Sequence, residues 1–208
     1  MGITHSQPAS LNDLIFPDSA TEKRIRQYAN NQRHGNIILY GPPGTGKSTT
    51  AYIIANTRAA LTGAGAAYTA PVYNGAQSLE CLIEELLREW NFCSLQGAEV
   101  PCVVIDEVDK LLPAQQHKLR AQLDRGFSGH VILTTNHIYR LDAALRDRCD
   151  CIEMPAINSD HWRSKFEQWL AAYNIKLTEQ SLEAVLSTCN GTIRDLKRAA
   201  DDIICAKS

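Results

Sequence analysis

Residues 36–48 limit what this chain can fold into more than any other stretch. Asn36-Ile37-Ile38-Leu39-Tyr40 is a short apolar run of the kind a buried parallel strand shows, and Gly41-Pro42-Pro43-Gly44-Thr45-Gly46-Lys47-Ser48 follows directly. The second part meets every fixed position of the phosphate loop G-x-x-x-x-G-K-[S/T]. A glycine-rich loop lets successive backbone N–H groups turn inward, and the helix behind it aims the positive end of its dipole at the same point. The natural guest is a triphosphate, ATP, with magnesium. Lys47 would reach the outer phosphates as a compact charge, and the Ser48 hydroxyl would hold a Mg2+ ion bridging two of them. Thr49 then opens the helical continuation through Ala55. A Gly/Pro-rich surface turn that fits the pattern by chance is the alternative, and the strand before and helix after speak against it.

Further apolar runs follow at residues 67–74, 100–105, 129–135 and 151–154, the first carrying Pro71 and therefore expected near an edge or a bend. Helical patterns separate them at 78–90, 113–125 and around 141–146. Upstream, residues 21–31 read as a helix with Ser19 or Thr21 as its cap and Ile25 and Tyr28 on its buried side. Strands alternating with helices predict an α/β fold, a P-loop NTPase parallel sheet with helices on both faces. From Asn158 the pattern changes to helices alone. Ser159 or Asp160 is expected to cap one bearing Trp162, Phe166, Trp169 and Leu170. Thr178 opens a second with Leu182, Val185 and Leu186, and a third carries Ile193, Leu196, Ala200 and Ile203. The expected division is a nucleotide-binding domain over 1–156 and a small all-helical lid over 157–208.

A chain of 208 residues with 44% apolar and 21% charged residues is ordinary for a globular protein with one good core and a small satellite. No apolar run approaches the roughly 18 to 20 residues that span a bilayer, and the first eight lack the layout of a signal peptide. The expectation is a cytoplasmic protein without a membrane partner. Seven cysteines, an odd number without C-x-x-C pairs, favour free thiols over a disulfide framework, and Cys149-Asp150-Cys151 lacks two further ligands for zinc. The net charge of -2 does not mark a nucleic-acid binder, so any DNA contact must come from a local cluster.

Val103-Val104-Ile105-Asp106-Glu107 supplies the second part of an NTPase site. A buried strand ending in two carboxylates places Asp106 beside Ser48, where it would order the magnesium ion's water shell, and makes Glu107 the candidate general base. A strand ending in a solvated acidic turn is the alternative. Asn136, after Leu133-Thr134-Thr135, is placed to hold the attacking water or to sense the terminal phosphate; a plain strand-end cap would look the same. Leu11, Leu14, Ile15 and Phe16 form an apolar island that is either a packing patch or, through Ile15 and Phe16, a wrap for the adenine ring.

With Ala144-Leu145-Arg146-Asp147-Arg148-Cys149 added, the chain resembles the AAA+ ATPases, and more narrowly the ATPase subunits of phage-type sliding-clamp loaders, whose matching stretch ends in Ser-Arg-Cys. The resemblance spans about residues 8–206, including 8–17 and Val72-Tyr73-Asn74-Gly75; Asp147 stands where the family has serine. It implies that Arg148 is a finger inserted into a neighbouring subunit's site, with Arg146 the second candidate. Gly191-Thr192-Ile193-Arg194 is similar to the family's second sensor, which makes Arg194 a sensor of the terminal phosphate; an ordinary helix-surface charge is the other reading. The resemblance further implies self-assembly into a ring or spiral and, as partners, DNA and a sliding clamp or another replication protein. A helicase loader or protein-remodelling ATPase is the alternative, and a switch that barely hydrolyses ATP a third. Clamp loaders carry a C-terminal collar after the lid, and this chain stops at Ser208, so a module without a collar, in the cytoplasm or a phage host's cytoplasm, is expected. Lys110, Lys118, Arg120 and Arg125 crowd the segment after Glu107; Lys118, Gln122 and Arg125 share a helix face that is either solvated or tracks DNA phosphates.

Overall fold

The computed structural model describes residues 8–61, 72–74, 102–124 and 130–207. Among the described residues, five strands form one sheet: β1 (Asn36–Tyr40), β2 (Val72–Asn74), β3 (Cys102–Asp106), β4 (His130–Thr135) and β5 (Cys149–Glu153), in the order β2-β3-β4-β1-β5. Every pairing is parallel. The expected second strand lies at the sheet edge, and its portion before Val72, like the expected helix over 78–90, falls outside the described residues.

Alternation along each strand sorts the core into two faces. Ile37, Leu39, Val104, Ile132 and Ile152 point to one side, against Ile25 and Tyr28 of α1 (Ser19–Ala29) and Ala51, Ile54 and Ala55 of α2 (Lys47–Leu61). Ile38, Val103, Ile105, Val131 and Leu133 point to the other, against Leu119 of α3 (Pro113–Asp124) and Leu145 of α4 (Ala143–Arg146). Helices therefore cover both faces, as a parallel sheet requires. Burying each of these large side chains contributes about 1.5–3 kcal/mol.

The cap of α1 differs from the expected Ser19 or Thr21. Asp18 takes that place, because its carboxylate accepts the Thr21 N–H at 2.7 Å and the Thr21 hydroxyl at 2.8 Å, which starts the helix at Ser19.

The last three helices, α5 (Ser159–Ala171), α6 (Glu179–Thr188) and α7 (Ile193–Lys207), enclose an apolar cluster of their own. Trp162, Phe166 and Leu170 meet Leu182 and Leu186 of α6 and Leu196, Ala200 and Ile204 of α7. Ile204 is buried there, and Ile203, the residue the pattern singled out, packs only partly. Thr178 caps α6 as expected, accepting the Ser181 N–H. No described helix is long and apolar enough to cross a membrane.

Parallel strands leave all their C-terminal ends on one edge of the sheet, where ligands of open α/β sheets sit. That edge carries the phosphate loop after β1, Glu107 after β3 and Asn136 after β4. The loop's close fit is visible at Gly41, whose φ of +146° and whose approach to Met154, 2.3 Å from where a Cβ would stand to the carbonyl oxygen, exclude any side chain.

Candidate active site

The phosphate loop, the ends of β3 and β4 and the start of α7 close around one cleft of about 420 Å³. The sequence-predicted Pro43, Gly44, Gly46, Lys47, Ser48, Thr49, Asp106, Glu107, Asn136 and Arg194 all line it. Lys47 is 7% exposed, and its Nζ donates to the carbonyls of Gly41 at 3.0 Å and Pro42 at 2.7 Å. Burial lowers its pKa, an effect opposed by the nearby Asp106 and Asp109 carboxylates and reinforced by Arg194. Thr45 closes the loop from within, its hydroxyl donating to the Pro42 carbonyl at 3.1 Å.

Ser48 Oγ donates to Asp106 Oδ1 at 2.7 Å, which joins the two residues expected to share a cation. Thr134, two residues before Asn136, donates its hydroxyl to the same oxygen and accepts the Glu107 N–H at 3.2 Å. The β3–β4 register pairs Ile105 with Leu133, so Asp106 and Thr134 stand abreast. Thr135 is fully buried; its hydroxyl donates to Asp109 at 2.7 Å and accepts the His137 N–H at 2.9 Å. Glu107 has a left-handed backbone, φ 56°, at the start of a short 3-10 turn (Val108–Lys110), and its carboxylate pairs with Lys110. That hydrogen bond raises the Lys110 pKa.

Thr134, Asp109 and Lys197, which lines the cleft from α7, are site residues the sequence reading missed. The Thr-Thr pair at a strand end beside a neighbouring D-E was the available signal for the first.

A second cleft, of about 270 Å³, opens on the other side of the loop. Ile15, one of the two expected adenine contacts, lines it with Met154, Trp162 and Trp169. Phe16 does not. The extended backbone after the turn at Leu11–Asp13 sends Ile15 toward the C-terminal helices and Phe16 to the opposite side, against the α1/α2 core.

Neither arginine of the turn before β5 reaches the cleft. Arg148 pairs with Asp124 at the end of α3, one bond measuring 2.9 Å, and donates to the Ala144 carbonyl at 2.6 Å. Arg146 ends α4 with its Nε buried and without a hydrogen-bond partner. Of the basic cluster, Lys110 is held by Glu107 and Arg120 by Asp142 at 3.3 Å, while Arg125 lies outside the described residues.

A parallel sheet that ends in such a loop beside a strand-end carboxylate is the architecture of the P-loop NTPases. Residues 37–155, more than half of the chain, match the ATPase family associated with various cellular activities (AAA), and the chain belongs to that family of ATP-hydrolysing enzymes. It is homologous to replication factor C subunits. Identity to the large subunit of Pyrococcus horikoshii is 23% over 206 residues, covering 95% of this chain and 41% of that protein. Identity to the small subunit of Archaeoglobus fulgidus is 24% over 194 residues, covering 90% of this chain and 59% of that protein. The chain thus spans 41 to 59% of the length of these relatives. Among solved structures, the Thermotoga maritima Holliday junction branch migration motor RuvB superposes with a TM-score of 0.70 at 20% identity, over 93% of this chain and 63% of that one, a likeness of fold.

Proposed function

We propose that the cleft binds Mg-ATP and hydrolyses it between copies of this chain, as a DNA-replication accessory ATPase of the clamp-loader type. One observation carries the interfacial part. Strands β1 and β5 are parallel, so Arg148, directly before β5, sits at the edge opposite the phosphate loop, about 16 Å away along five strand residues. It serves a site only in another copy, and such a contact joins two different surfaces head to tail, which builds a ring or spiral. The replication assignment is supported by the alignment of 90 to 95% of the chain with replication factor C subunits.

The residues divide the work as follows. The loop backbone from Gly41 to Gly46 and Lys47 hold the phosphates. The Ser48 hydroxyl and Asp106 carboxylate, hydrogen-bonded oxygens of the hard type Mg2+ prefers, fit that ion, which would neutralise charge on the outer phosphates. Glu107 takes a proton from the attacking water once it exchanges its Lys110 partner. Asn136 orients that water, and Arg194 reaches the terminal phosphate from α7. Residues 157–208 act as a lid over the nucleotide, and its opening and closing convert hydrolysis into motion. DNA and a sliding clamp are the partners.

The test is the steady-state ATPase rate with primed DNA and a sliding clamp, across a range of salt. Stimulation by the pair is expected. An unchanged rate at every salt overturns the clamp-loader reading in favour of a protein-remodelling or helicase-loading role.

A further inference from the structure

The two clefts meet along a shared wall made by Gly46, Thr49, Ile193 and Lys197. Ile193 fixes that junction. Its N–H donates to the Gly44 carbonyl at 2.9 Å, and its Cδ1 lies 2.8 Å from where a Cβ on Gly46 would stand, so α7 begins in contact with the phosphate loop. A nucleoside triphosphate lying with its base beside Ile15 and Trp169 and its outer phosphates on Lys47 must carry its ribose and innermost phosphate across this wall. Lys197 is the charged residue of the four.

We propose that Lys197 binds the α-phosphate of the nucleotide, as a second cation of α7 with a task distinct from that of Arg194. This rests on the reading of the two clefts as one nucleotide site. Arg194 and Lys197 are three residues apart and share a helix face. Arg194 lines only the cleft holding Asp106 and Glu107, and its Cβ lies 3.3 Å from where a Cβ on Gly44 would stand. Lys197 lines both clefts. Its ammonium sits 6.0 Å from the centroid of the Trp169 ring, within cation–π range, which holds the charge at the junction while leaving its donors available. A compact ammonium with three rotatable donors suits a non-bridging phosphate oxygen. The outcome is a helix that reads the nucleotide at two points, the outer phosphate through Arg194 and the inner through Lys197.

The alternative is a solvated lysine that merely packs its stem on Trp169. Lys197→Met in the full chain keeps the stem and drops the charge, and affinities for ATP, ADP, AMP and adenosine are measured by competition with a fluorescent ATP analogue. The expected result is about tenfold weaker binding of ATP, ADP and AMP alike, because all three carry the α-phosphate, with adenosine unchanged and Lys197→Arg restoring most of the loss. Arg194→Ala, by contrast, weakens ATP more than ADP. Wild-type affinities in Lys197→Met, a loss confined to ATP, or an equal loss for adenosine each overturn the assignment while leaving the nucleotide site intact. A wild-type protein that binds none of the four overturns both readings together.

Discussion

At the edge where the strands end, Ser48, Asp106, Glu107, Asn136, Arg194 and Lys197 converge on open space; at the edge where they begin, charged groups close on one another. There Asp150 of β5 receives Arg24, Arg33 at 3.2 Å and the Tyr28 hydroxyl at 2.9 Å. Arg58, 4% exposed, donates to the Tyr28 and Arg33 carbonyls and to Asn31 Oδ1, which ties α2 to the end of α1. His130 Nδ1–H donates to the Gly35 carbonyl at 3.3 Å, and the ring stacks on His34. The same residue types do two jobs. At the starting edge burial makes each polar group choose a partner within the chain, and at the finishing edge the glycine-rich loop keeps a cleft open for a ligand.

The sharpest way to break this contrast is to remove one cation from each edge. Lys47→Ala should abolish detectable ATP binding, measured by calorimetry. Arg148→Ala should leave binding intact and lower turnover by about 10³-fold or more, since a finger supplied in trans is worth that much. Full activity in Arg148→Ala removes the claim that it acts across an interface.

A smaller effect is expected within the starting edge itself. Asp150→Asn leaves the half-exposed Arg24 and Arg33 without their shared carboxylate and should cost about 1–2 kcal/mol in chemical denaturation, with ATP affinity unchanged. An ATP affinity that falls along with stability would show that the two edges are coupled.

The smallest effect is a pH dependence. Burial, with the Arg58 charge next and His34 adding to it, lowers the pKa of His130 to about 4 against the Gly35 hydrogen bond, which raises it. Folding therefore favours the neutral ring. Stability from this group is complete above an unfolded pKa of about 6.5 and is lost as pH falls from there toward 4, by on the order of 1 kcal/mol after allowing for the partly exposed ring. His130→Gln should flatten the denaturation midpoint over that window; a slope equal to the wild type assigns the loss to other groups.

Much of the site was legible because phosphate chemistry demands local spacing. The loop from Gly41 to Ser48 and the D-E pair at 106–107 are each contiguous, and β1 and β3 bring them together as the apolar runs predict. Thr134 was legible only as a threonine at a strand end, since its value lies in the register that sets it beside Asp106. The separation of Ile15 from Phe16 was hidden for a related reason. An apolar island shows which residues seek burial, and only the backbone direction after Leu11–Asp13 separates Ile15 from Phe16.

By itself, then, the amino-acid order determined a parallel α/β sheet carrying a phosphate loop and an all-helical end, because both rest on short-range periodicity and on motifs read within one turn or strand. The tertiary structure decided which distant groups meet. It placed α7 against the loop through Ile193 and Gly44 and set Lys197 between the two clefts. It also sent Arg148 to the far edge, since parallel pairing of β5 with β1 puts the residue before one strand and the loop after the other at opposite ends of the sheet.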